Sequence, residues 1–163
     1  MQIVKLPENI WRTCVDSMPI FGIDIIIFSK EYGVLMGMRI NNPAKGKLFV
    51  PGGRVYKNES MLDAFNRILV NETGLNFSFQ ETTSIGLYEH FYDVTNWSTN
   101  QSGTHYIIDA RLIEICKGED NLKLNLKEQH SNFEWIPIDG QSSKDIHHYS
   151  RTYLNKIKYL NTQ

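Results

Sequence analysis

Between Val50 and Leu75 the chain reads VPGGRVYKNESMLDAFNRILVNETGL, and this stretch constrains the fold more than any other. Its two adjacent glycines, Gly52 and Gly53, let the backbone approach a ligand closely and offer it a bare carbonyl or amide. Leu62, Phe65 and Leu69 then fall at helical spacing, so the pattern predicts a helix over Ser60 to Glu72. Asn58 or Ser60 can cap it, and Gly74 stops it. The free amides at a helix N-terminus favour anions. Arg54 stands just before them with a guanidinium that grips phosphate as a fork. On the helix, Arg67 and Asn71 share one side, as do Ile68 and Glu72. Glu72 thus puts a carboxylate near the helix end, an oxygen ligand of the kind a hard metal takes. On spacing alone, an ordinary amphipathic helix after a Gly-Gly turn, with Glu72 a solvated acid, accounts for the segment equally well.

The rest of the chain fits around this unit. Glu8 to Ser17 suits a short helix. Phe21 to Ser29, FGIDIIIFS, is β-branched and apolar and reads as a buried strand. After a turn at KEYG, Val34 to Ile40 returns, and Leu48 to Val50 follows the loop NNPAKGK. Further strands are expected at Ser84 to Tyr92, Thr104 to Glu114 and Phe133 to Ile138, and a last helix from Ser143 to Leu160. No repeat or linker interrupts the chain, so residues 1–163 read as a single domain of the α+β class, a mixed sheet with helices on both sides.

Composition removes several function classes. With 17 basic and 18 acidic residues the net charge is about neutral, which argues against a general electrostatic grip on nucleic acid. No apolar run is long enough for a bilayer span, and the opening MQIVKLPENIWR lacks the shape of a signal peptide. A cytoplasmic protein is expected. Cys14 and Cys116 stand apart, outside any metal-type spacing, and read as small packing residues.

The segment resembles the Nudix box, G-x5-E-x7-R-E-U-x-E-E-x-G-U with U bulky and aliphatic. Gly53, Glu59, Arg67, Leu69, Glu72, Gly74 and Leu75 stand where the pattern wants them; Ile68 and Asn71 replace glutamates. The family fold this implies is an α/β/α sandwich with a mixed sheet between helices. In ordinary Nudix hydrolases the glutamate cluster holds several divalent ions, and such a cluster needs cations to stay ionised. Here only Glu72 remains at that end. One Mg2+ per subunit, with Mn2+ as a substitute, is the expectation.

Other pieces narrow the resemblance: GIDIII around Asp24, MGMRINNPAKGKLFVPGGRV, EHFYD at Glu89 to Asp93, GTHY at Gly103 to Tyr106, EQH at Glu128 to His130, and HHYSRTYL near the end. Together they are similar to the Nudix branch that hydrolyses GDP-mannose between the sugar carbon and the phosphate oxygen; mannose and glucose differ at a single hydroxyl, so GDP-glucose stays open as a substrate. The resemblance implies that Glu72, the Gln129 amide oxygen and the Gly52 carbonyl bind the magnesium on the diphosphate. It implies His130 as general base, Arg39 and Arg54 as neutralisers of the leaving GDP, and Arg67 as support for that group. Asp24, His90, Tyr92 and Tyr106 would lie near the sugar and the leaving group. It also implies a homodimer.

The residue types suit such chemistry. GDP leaves readily once magnesium and arginine take up its charge. A histidine can remove a proton from water near neutral pH, and direct attack inverts the anomeric centre. Asp24 in an otherwise apolar strand needs a partner if buried. Trp11, Trp97 and Trp135 can each stack on a base, although Trp135 is better suited to packing. His105 is expected to be structural or at a subunit contact, His147 and His148 to be solvated at the start of the last helix, and Glu59 to pair with a backbone amide or with Arg67. Two other readings compete. One is a nucleotide-sugar pyrophosphatase attacking phosphorus, against which the missing glutamates speak. The other is a binding domain without catalysis, acting as a sensor, which has no need of His130.

Overall fold

The β-branched run at Phe21 to Ser29 becomes the central strand. In the computed structural model, which describes residues 3–93, 103–115, 130–139 and 145–162, strand β1 spans Ile20–Ser29 and is buried along almost all its length. A strand apolar on both faces needs cover on both faces, and helices supply it. Helix α2 (Met61–Thr73) closes one side, packing Phe65, Ile68 and Leu69 on Ile23, Ile25 and Ile27. Helix α3 (His148–Leu160) closes the other, packing Tyr153, Leu154 and Ile157 on Ile26 and Phe28. Helix α1 (Glu8–Ser17) covers the end of that second face, with Trp11 and Val15 against Ile20 and Tyr106.

Among the described residues the sheet has seven strands and mixed direction. Strand β1 runs parallel to β6 (Thr104–Ile115), and β6 pairs antiparallel with the edge strand β5 (Thr83–Tyr92). The other flank of β1 is shared. One end pairs with β2 (Gly33–Arg39) at Phe28↔Val34 and Ser29↔Gly33. The other end pairs with β4 (Gly52–Arg54) at Gly22↔Arg54, Ile23↔Gly53 and Asp24↔Gly52. Strand β2 diverges from β1 beyond that first contact and carries β3 (Leu48–Phe49) and β7 (His130–Ile136). The fork between β2 and β4 leaves a gap in the sheet beside Asp24. This α+β architecture, helices on both faces of a mixed sheet, is the one expected.

Boundaries differ in instructive places. Helix α1 has the expected limits. Helix α2 starts one residue later because Ser60, not Asn58, is the cap: its hydroxyl accepts from Asp63 N at 3.1 Å, while Gly74 ends the helix at φ 75°. Helix α3 starts at His148 rather than Ser143. Residues 145–147 are instead held against β3, where Leu48 N donates to Asp145 O and His147 N to Leu48 O. Two short elements carry no periodicity and were not expected from sequence: β4 and a 3-10 turn at Phe79–Glu81.

The turn between β1 and β2 depends on Gly33. Its φ is +96°, and a Cβ there would lie 2.0 Å from the Ile136 carbonyl oxygen on β7. Gly33→Ala is therefore expected to destabilise the fold by about 2 kcal/mol. A urea titration followed by circular dichroism checks this; an unchanged midpoint would rule out the strain.

Candidate active site

The fork in the sheet opens into a cavity of about 500 Å3. Strand β1 contributes Asp24, the end of β2 contributes Arg39, and β4 contributes Gly52, Gly53 and Arg54. Arg67 reaches in from α2, His90 and Tyr92 from β5, Tyr106 from β6 and Trp11 from α1. Eight residues singled out in the sequence thus meet in one place: Asp24, Arg39, Gly52, Arg54, Arg67, His90, Tyr92 and Tyr106. Trp11 joins them, whereas Trp135 packs elsewhere, tilted on Tyr32 at 6.0 Å.

Why Gly52 must be glycine follows from its pairing with Asp24. A Cβ at Gly52 would sit 2.3 Å from Asp24 Oδ1. At Gly53 the opposite face matters: a Cβ would meet the Ile68 side chain at 3.2 Å. Ile68, one of the two glutamate replacements, is therefore a core residue that packs β4 on α2. Asn71, the other, is exposed, and Glu72 is buried at 8% exposure.

The arginines are held differently. Arg67 makes a fork to Glu59, Nε to Oε1 at 2.5 Å and NH2 to Oε2 at 2.8 Å, and also donates to Arg54 O at 2.8 Å. Glu59 in turn accepts from Tyr56 N at 2.9 Å. The two pairings expected as alternatives for Glu59 are both present. Burial works to raise the Glu59 carboxyl, but the bonds from Arg67 and the Tyr56 amide win and hold it below the usual value. Arg67 thereby fixes the backbone that carries Arg54. The Arg54 guanidinium lies over the Trp11 ring at 3.5 Å, an indole face that suits a cation. Arg39 donates Nε to Pro43 O at 2.9 Å, which ties it to the loop after β2. Glu59→Gln is expected to cost about 1–2 kcal/mol of stability. Thermal melts read the effect, and an unchanged melting temperature would rule out the fork as a stabilising contact.

Behind the arginines lies a buried polar chain. Tyr153 OH donates to Asp24 Oδ2 at 2.7 Å and stands 3.1 Å from His90 Nε2. This is the partner a buried Asp24 requires. His90 stacks on Tyr149 at 3.7 Å, and Tyr149 OH grips the Phe91 backbone, accepting from its N and donating to its O at 3.0 Å. Burial pushes the Asp24 carboxyl up to about 7, against the opposing pull of the Tyr153 bond and Arg39. Burial, with His147 and His148 nearby, pushes the His90 imidazolium down to about 3. Burial likewise raises the phenols of Tyr92, Tyr106 and Tyr153, so all three stay protonated.

Tyr149 and Tyr153 were missed in the sequence reading as site residues. Their signal was present in HHYSRTYL: four residues apart, they share one helix face. The expectation that both His147 and His148 are solvated holds only for His148. His147 is buried, caps α3 by accepting from Tyr149 N at 3.4 Å, and burial lowers it to about 4. His105 stacks on Phe91 at 4.3 Å, with Glu89 at 3.5 Å. Gln129, Trp97 and Cys116 lie outside the described residues. Of His130 the backbone is placed, paired with Arg39 across β2 and β7.

Magnesium requires hard oxygen donors, and Glu72 with the Gly52 carbonyl is a donor set of that class. Among the described residues no group of three or more acidic, histidine or cysteine side chains gathers to hold a metal. By donor chemistry this set suits an ion completed by ligand phosphates; of its two members, Gly52 lines the cavity and Glu72 does not.

The comparisons with known proteins agree with this geometry. Residues 18–155 match the family model described as NUDIX domain. The low-salt glycan biosynthesis protein Agl8 of Haloferax volcanii is 34% identical over 155 residues, covering 94% of this chain and 91% of that protein. Among solved structures, the MutT NUDIX hydrolase of Burkholderia pseudomallei superposes with a TM-score of 0.68 at 20% identity, covering 86% of this chain and 99% of that one. The NUDIX domain of Shewanella oneidensis NrtR, complexed with ADP ribose, gives 0.66 at 13% identity, covering 94% and 98%. With the family match spanning most of its length and an α/β/α sandwich to match, the chain belongs to the NUDIX domain family of the Nudix hydrolase superfamily.

Proposed function

We propose that the protein hydrolyses GDP-mannose, or the closely related GDP-glucose, to GDP and free sugar with the help of magnesium. The observation that carries this reading is the cavity itself. Two arginines, Arg39 and Arg54, share it with the buried pair Asp24 and His90, a charge layout suited to a diphosphate beside a sugar. The similarity to a glycan biosynthesis protein supports a nucleotide-sugar ligand. Two box positions that would carry glutamates carry Ile68 and Asn71 instead, and Ile68 is committed to packing Gly53. That supports a reaction other than attack on phosphorus.

In the proposed mechanism Glu72, the Gly52 carbonyl and Gln129 hold one Mg2+. When bound, the ion supplies charge neutralisation at the diphosphate. Arg39 and Arg54 bind the same phosphates, and Arg67, anchored by Glu59, keeps Arg54 in place through its bond to the Arg54 carbonyl. His130 takes a proton from water, whose oxygen forms a bond to the anomeric carbon. The bond from that carbon to the phosphate oxygen breaks, and its electron pair leaves with GDP. An α-linked sugar emerges as the β anomer. Asp24, His90, Tyr92 and Tyr106 line the sugar and leaving-group region. The full chain acts as one domain and as a homodimer in this reading, in the cytoplasm. Among the described residues no helix is long and apolar enough to cross a membrane.

Incubation with GDP-mannose and Mg2+ in oxygen-18 water tests the reading. GDP and labelled mannose are expected. GMP and mannose 1-phosphate, with label on a phosphate, would instead mean pyrophosphatase chemistry. Binding without any product would mean a sensor.

A further inference from the structure

The hydrogen-bond chain behind the cavity assigns a role to a residue outside the proposed reaction. We propose that Tyr153 is a positioning residue that fixes the tautomer of His90, leaving its Nδ1 as an acceptor. This deepens the reading of the cavity as a nucleotide-sugar site and rests on it for the ligand, though not for the tautomer.

The argument is one of counting protons. A tyrosine hydroxyl has one proton to give, and a carboxylate has none. With Asp24 ionised, as it is at pH 8.5, Tyr153 OH gives its proton to Asp24 Oδ2 at 2.7 Å. Its oxygen can then only accept from His90 Nε2, 3.1 Å away, which requires the His90 proton to sit on Nε2. Nδ1 keeps a lone pair. It stands 4.0 Å from Asp24 Oδ2, beyond hydrogen-bond reach and between two acceptors that would repel each other. The geometry is firmly held. Tyr153 is fully buried with its ring edge-on to Tyr88 at 5.1 Å, and His90 is clamped flat on Tyr149 at an interplanar angle of 12°. Burial, with His147 and His148 flanking His90, discourages a positive charge on the ring.

The consequence is a division of labour within one cavity. The Arg39 and Arg54 end carries guanidinium donors and suits phosphate oxygens. The Asp24 and His90 end carries acceptors and suits the hydroxyl donors of a sugar. Tyr153 creates this second polarity without entering the cavity, since it is absent from the lining.

Nitrogen NMR of the full chain with 15N-labelled histidine, at pH 8.5, tests the assignment. The wild type should show His90 protonated at Nε2 alone. Tyr153→Phe keeps the ring and removes the hydroxyl, so the His90 proton should spread over both nitrogens. With it, kcat/KM for GDP-mannose should fall about 10- to 100-fold, while the Kd for GDP, held by the arginines, stays unchanged. A wild-type His90 protonated at Nδ1 would overturn the proposal with no variant needed. So would a Tyr153→Phe protein whose His90 remains wholly Nε2-protonated. Should the wild type fail to turn over GDP-mannose, the functional reading falls, and the two spectra still decide the role of Tyr153.

Discussion

Asp24→Asn is expected to make the protein more stable, by about 4 kcal/mol at pH 8.5, while removing most of its activity. Burial moves the Asp24 carboxyl from 3.8 to about 7, so the folded state holds that proton more tightly than the unfolded chain does. The sign follows. Stability from this group is fully present below pH 3.8 and is lost as pH rises through about 7. Each tenfold difference in acidity is worth about 1.4 kcal/mol, which sets the size of the effect. Asparagine has the same shape, never ionises, and can still accept from Tyr153. Its advantage should therefore shrink to nearly nothing by about pH 4. His90 works in the opposite direction, since its folded value of about 3 makes an acid solution destabilising, but it is present in both proteins and drops out of their difference. Urea titrations of both proteins at several pH values measure this directly. An asparagine variant no more stable at pH 8.5 would mean that the buried carboxylate is compensated by something beyond Tyr153 and Arg39.

His130→Gln is the second large effect. The proposed mechanism gives this residue the proton of the attacking water, and loss of a general base costs roughly two or more powers of ten in rate. Binding should be retained, so kcat falls while the Kd for the GDP-sugar holds. The observation behind it is the register of β7: His130 pairs with Arg39, and Arg39 lines the cavity. Single-turnover kinetics with equilibrium binding separates the two quantities. An unchanged rate would remove His130 from the reaction and leave the attacking water without its proposed base.

Much of this architecture was legible because strong local patterns carry it. FGIDIIIFS announces a strand without help from the rest of the chain, and the spacing of Leu62, Phe65 and Leu69 announces α2. What was not legible depends on distant partners. Strand β4 is three residues of GGR, too short and too rich in glycine for any periodicity, and it exists because β1 pairs with it. The start of α3 moved to His148 because residues 145–147 found β3 to bond with. In the site, Asp24 was conspicuous as a lone acid among isoleucines, and its need for a partner was evident. The identity of that partner was hidden, because Tyr153 comes from the other end of the chain. Arg67 was expected to support the diphosphate; hidden from the sequence was its bond to the Arg54 carbonyl, made while Glu59 holds its guanidinium.

The distance between Asp24 and Tyr153, 129 residues along the chain, sets the order in which this site can come into being. During synthesis Asp24 leaves the ribosome 129 residues ahead of Tyr153. Until α3 docks, one face of the central strand and its carboxylate remain in water, where ionisation costs nothing. Docking does three things in one event: it seals the apolar face, supplies the phenol, and stacks Tyr149 on His90. Nascent chains therefore cannot display a finished acceptor end before α3 arrives, and a chain cut short ahead of α3 lacks Tyr149 and Tyr153 altogether. Completion of the fold and completion of the site are the same step.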